Sequence, residues 1–75
     1  MTHEKALEVP QRMHDLEING EVNWFFDAGF EWTLWVRPPV SGEAQTHVEA
    51  LTALAEAVCA TLPEGKFAKW WRENP

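Results

Sequence analysis

From Val22 to Val36 the chain alternates apolar and polar positions with a period of two. Val22, Trp24 and Phe26 alternate with Asn23 and Phe25, and Phe30, Trp32, Leu34 and Val36 alternate with Glu31, Thr33 and Trp35. Two adjacent runs of that period predict two strands. Asp27-Ala28-Gly29 separates them. A three-residue hairpin loop needs a left-handed residue at its last position, which glycine supplies without steric cost. That loop pairs Phe26 with Phe30, Trp24 with Trp32 and Val22 with Leu34, all on one face. Upstream, His14-Asp15-Leu16-Glu17-Ile18 reads as a third strand. A loop over Asn19-Gly20-Glu21, or a bulge, would set Leu16 and Ile18 on the same face as the others.

After Pro38-Pro39, Ser41 is the expected cap of a helix with Glu43 in its first turn. Ala44, Val48, Leu51, Ala55, Val58 and Leu62 recur at helical steps, and Pro63 closes the run. Residues 2–8 form one or two helical turns capped by Thr2 and stopped by Pro10. The tail sets Phe67, Trp70 and Trp71 at helical spacing. The expected architecture is a single α+β domain over residues 1–75. It is a three-stranded antiparallel meander packed on one main helix, with short terminal helical segments.

Composition narrows the function classes. Five Trp and four Phe in 75 residues give a small core large side chains, each removing roughly 150–250 Å² from water when buried. The net charge of −6 is uneven. Residues 1–63 hold ten acids against three bases, whereas residues 64–75 hold Lys66, Lys69 and Arg72 against Glu64 and Glu73. Such a body repels phosphates and anionic lipid, so direct nucleic-acid and membrane binding are not expected. It suits a partner protein with a basic surface, or simple solubility. One cysteine, Cys59, leaves no internal disulfide, and no apolar run nears the ~20 residues of a membrane span. With no signal-peptide pattern, a cytoplasmic setting is expected.

Catalytic and metal chemistries find little support. The three histidines and Cys59 lack metal-ligand spacing, so no metal and no cofactor is expected. Cys59 falls late in a helix, where the dipole disfavours a thiolate, and reads as a small buried residue. Asp27 and Glu31 flank one hairpin but are ordinary turn and strand residues, and His14-Asp15 reads as an exposed pair. No phosphate-binding glycine loop exists. Trp24 and Trp32 read as core. Alternation sends Phe25 and Trp35 to the opposite face, where Trp70 and Trp71 could fold over them or leave them as a patch. The expected interaction surface is Phe25 and Trp35 with Glu31, Thr33, Asn23 and Glu21 around them. The predicted pairing sets Phe25 against Glu31, Thr33 against Asn23, and Glu21 near Trp35.

The stretch His14–Ile18 followed by Trp24-Phe25-Phe26-Asp27-Ala28-Gly29-Phe30-Glu31-Trp32 resembles small uncharacterised phage and prophage proteins. These carry a Phe-Phe-Asp-Gly-type hairpin and then a helix with Glu-Ala, here Glu56-Ala57. The resemblance implies a phage or mobile-element origin, and small acidic phage products include inhibitors of bacterial defence, anti-CRISPR proteins among them. The acidic body, the open-face aromatics and the lack of a catalytic constellation make the leading expectation a non-enzymatic module that binds or inhibits a host nucleic-acid-handling protein. The meander-then-helix order is also similar to HicB-type antitoxins and double-stranded-RNA-binding domains. Gly42-Glu43-Ala44-Gln45 stands where the RNA domain needs bases, and no room remains for the antitoxin's DNA-binding segment. Two other classes stay open. One is a small ligand-binding or enzymatic domain with Trp24, Trp32 and Trp35 lining a pocket. The other is a homodimer joined through the sheet face or a free strand edge.

Overall fold

The computed structural model describes residues 3–27 and 29–73, with the side chains of His3 and Glu4 excepted. The expected cap Thr2 and the loop residue Ala28 lie outside them. The elements in order are α1 (His3–Leu7), α2 (Val9–Asp15), β1 (Gly20–Phe25), β2 (Gly29–Leu34), β3 (Val40–Ala44), α3 (His47–Thr61) and α4 (Lys66–Glu73). The three strands form one antiparallel sheet in the order β1-β2-β3. Helix α3 packs on one face of this sheet and contacts every other element. The α+β meander on one main helix is therefore present, but two of its parts come from other stretches of chain.

Residues 14–18 are not a strand. The first helix ends at Leu7, ahead of Pro10 as expected, but a second begins at Val9 and takes Pro10 into its first turn, where its missing N–H would have had no intrahelical partner anyway. Val9 and Met13, four residues apart, are both buried. Helix α2 ends in paired backbone bonds, Ile18 N–H to the Met13 carbonyl at 2.8 Å and Glu17 N–H to the His14 carbonyl at 3.1 Å. This is the Schellman closure, with its left-handed position filled by Glu17 at φ 59°.

The third strand is β3, and Ser41 lies within it rather than capping a helix. Thr46 is the cap of α3, its hydroxyl accepting from Glu49 N–H at 3.1 Å. β3 has little strand propensity of its own but meets a need of β2, whose outer edge would otherwise be unpaired. Gly42 faces Trp32 across the ladder, and a Cβ there would sit 2.8 Å from the indole Cζ2. The missing side chain is what lets the Trp32 ring lie over β3.

The hairpin register differs from the expected one by two positions. Trp24 pairs with Phe30, Val22 with Trp32 and Gly20 with Leu34, and Phe25↔Gly29 closes the loop. A shift by an even number preserves the partition of side chains between faces. Gly29 has φ 81°, and a Cβ on it would approach the Ala44 carbonyl oxygen to 2.7 Å. Both the backbone conformation and the closeness of β3 require glycine there.

The core joins Leu34 from the sheet, Leu51, Leu54, Ala55 and Val58 from α3, Val9 and Met13 from α2, and Phe67 and Trp71 from α4. Trp32 and Val22 pack against it, partly buried. Trp24 does not belong to it and is 63% exposed. Its strand partner Phe30 stacks on His47, the first residue of α3, at 5.5 Å. The helix begins there, so it does not reach on to cover Trp24.

Candidate functional site

Alternation from the core-facing residues Val22, Trp32 and Leu34 directs Glu21, Asn23, Phe25, Glu31, Thr33, Ser41 and Glu43 to the sheet face away from α3. Trp35, just past β2, stays beside them. Phe25 is 46% and Trp35 53% exposed. Trp70 and Trp71 do not cover them. Both belong to α4, which packs against α3, and both rings face Lys5.

Two polar contacts order this face. The Trp35 indole Nε1–H donates to Glu21 Oε1 at 3.0 Å, and Asn23 Nδ2 donates to Glu21 Oε2 at 3.1 Å. Trp35 N–H also donates to the Asn19 carbonyl at 2.9 Å, extending the ladder one residue past β2. Glu21 thus fixes the Trp35 ring, as its position near Trp35 in the sequence pattern led one to expect. The remaining pairs differ from expectation: Asn23 faces Glu31, Glu21 faces Thr33, and Phe25 faces Gly29. Thr33 drops out as a contact residue, being only 8% exposed. It is a short side chain at the centre of the middle strand, between Glu21 and Ser41.

The pairing exposes a residue that sequence reasoning had set in a helix. Glu43 lies on β3 directly opposite Glu31. Like charges facing each other across a ladder are destabilising. Among the described residues the ion pair found joins Lys69 and Glu73 on α4, and neither Glu31 nor Glu43 is paired with a base. Together with Phe25 and Phe30 these two glutamates line a shallow depression of about 180 Å³. The Phe25 ring and the two carboxylates match a lysine or arginine side chain, whose stem is apolar and whose end is cationic.

At the hairpin tip, Trp24 and Phe26 meet edge to face at 6.2 Å, with Phe26 88% exposed. With Phe25 they make three consecutive exposed aromatic residues. The signal was in the sequence, as a run of three large rings next to a turn, but alternation alone assigned Trp24 to the core.

Elsewhere the chemistry is sparse. A cleft of about 670 Å³ lies between α2, β1 and α3, and Trp24, Trp32 and Trp35 are not among its lining residues. Trp24 and Trp32 lie on the α3 side of the sheet and Trp35 beside Glu21 on the other, so the three rings do not face one space. Among the described residues, no three His, Cys, Asp or Glu side chains are grouped to hold a metal ion. Cys59 is buried. Burial pushes its thiol above the ordinary value, against the lowering effect of Arg72, and a neutral buried thiol is a poor nucleophile. No helix among the described residues is long and apolar enough to cross a membrane. No protein family matches the chain, nor does any curated protein or solved structure.

Proposed function

We propose that this protein is an interaction module whose open sheet face binds a basic protein surface. The observation that carries the reading is the Glu31–Glu43 pair. Two unpaired carboxylates face each other beside Phe25, an arrangement that costs stability and is relieved when a cation enters between them. Trp35, held by Glu21 on the same face four residues along the chain from Glu31, supplies a rigid aromatic anchor. Surfaces that hold nucleic acid are rich in lysine and arginine. A nucleic-acid-handling protein is thus the class of partner that fits, and occupancy of its basic surface would inhibit it. The hairpin's resemblance to phage proteins points the same way.

Affinity capture with the purified domain tests this. The wild-type protein should retain a basic partner at low salt and release it as salt rises, because exposed charges are screened over about 8–10 Å near physiological ionic strength. The double variant Glu31→Lys/Glu43→Lys should fail to retain it. Retention of the same partner by the double variant, or retention indifferent to salt, would contradict the reading.

A further inference from the structure

A second feature lies on the edge of the sheet rather than on its face. β1 pairs with β2 on one side, and among the described residues no strand pairs with its other side. The Trp35 N–H to Asn19 carbonyl bond fixes the phase of the ladder. Hydrogen-bonding positions alternate along an antiparallel strand. Asn19, Glu21, Asn23 and Phe25 therefore turn their backbone groups to β2, and Gly20, Val22 and Trp24 turn theirs outward.

This edge borders the 670 Å³ cleft, which is lined by Gly20 and Val22 from β1, by Met13 and His14 from α2, and by Leu51 and Leu54 from α3, among others. Its floor is apolar, since Met13, Leu51 and Leu54 belong to the core. Its lining includes Glu17 and neither Lys nor Arg, and the Glu21 carboxylate stands on the other side of the same edge, held by Trp35 and Asn23. Gly20 lets α2 pack directly on the strand beside the cleft. A Cβ there would lie 2.6 Å from Met13 Cε and 3.2 Å from the Thr33 carbonyl oxygen, so a side chain would push Met13 out of place.

We infer that the free edge of β1 and the cleft beside it receive an extended, basic segment of a partner protein as a fourth strand. Outward N–H and C=O groups on Val22 and Trp24 supply the pairing, and the cleft supplies pockets for alternate side chains. Residues of the segment on the helix side would be apolar, set over Met13 and Leu51 and ending against the exposed Trp24. Residues on the other side would be basic, set beside Glu21. A second copy of this chain is the less suitable occupant, because it would bring another net charge of −6 to an acidic edge. The inference rests on the reading of the chain as a module for basic partners, and adds the mode of capture.

The test uses the full chain and a short capped peptide alternating lysine and valine, with amide hydrogen exchange followed residue by residue. Bound peptide should slow exchange at Val22 and Trp24 by about tenfold or more, the scale of a newly formed ladder. A twin peptide N-methylated on every amide, which has no backbone donor on either edge, should give no protection, and a glutamate–valine peptide should give none either. Several results would overturn the inference. Absence of binding is one, and binding unaffected by N-methylation is another. Protection at Ser41 and Glu43 would assign the other edge. Protection of Val22 and Trp24 that grows with protein concentration alone would assign the edge to a second copy. Changes confined to Phe25, Glu31 and Glu43 would remove the fourth strand while leaving the open-face reading intact.

Discussion

Five of the nine large aromatic residues form two groups that differ in the charge beside them. On α4, Phe67 and Trp71 are buried and Trp70 is packed against them. Lys5 lies 5.2 Å from the Trp70 ring and 5.7 Å from the Trp71 ring, and Arg12 lies 4.8 Å from Trp70. The Lys5 ammonium also donates to the carbonyls of Trp70 and Trp71, at 2.8 and 2.7 Å, in the last turn of α4. It thereby satisfies carbonyls that the helix itself leaves free. On the sheet, Phe25 and Trp35 are exposed and their charged neighbours are Glu21, Glu31 and Glu43. On α4 the chain brings its own cations to the covered rings. On the open sheet face it sets carboxylates beside Phe25 and Trp35. The first arrangement is closed electrostatically, and under the proposed function the second is where a partner's cation would enter.

The contrast predicts different costs in the two regions. Phe67→Ala should have the largest effect, about 3–5 kcal/mol by urea unfolding, because Phe67 is fully buried on α4, which packs against α3. A loss below about 1 kcal/mol would show that α4 is not part of the cooperative core. Gly29→Val should cost more than about 1 kcal/mol, since a β-branched residue at φ 81° is strained and its Cβ meets the Ala44 carbonyl. A neutral result would break the claim that the hairpin and β3 are held in fixed relation. Glu17→Gly should do the opposite. It removes a left-handed non-glycine residue from the end of α2 and should raise the urea midpoint, by about 0.5–1 kcal/mol after allowing for the freer unfolded chain. A lower midpoint would mean that the Glu17 side chain supports the fold in a way that outweighs the backbone strain.

Much of this was legible along the chain, and the failures share a cause. Alternation assigned Phe25, Asn23, Glu31, Trp35 and Glu21 to one face, and the two-position register shift left that assignment unchanged because side chains repeat every two residues. The α3 stripe from Val48 to Val58 and the α4 triad were readable for the same reason. β3 was not. Val40-Ser41-Gly42-Glu43-Ala44 has one good strand former, and Ala44 falls in phase with the stripe of α3. Only the demand of β2 for a partner, and of the Trp32 ring for a gap, makes it a strand. Glu43, half of the carboxylate pair at the candidate site, was lost with it. Residues 14–18 failed in reverse, since Leu16 and Ile18 alternate but follow a helix that starts at Val9, and a left-handed glutamate has no sequence signature. Trp24 was misassigned because periodicity gives a residue's face but not whether the helix extends far enough to cover it.

The central claim is that the open face serves binding while the helical side serves stability. Trp35→Ala addresses it most directly, with captured partner and urea midpoint measured on the same preparation. Trp35 is half exposed, so its removal should shift stability by less than about 1 kcal/mol. Truncating an aromatic anchor should weaken binding by about 2 kcal/mol, some thirtyfold. A variant that unfolds would show the ring to be structural, and a folded variant that binds its partner as tightly as the wild type would show that the open face is not the site.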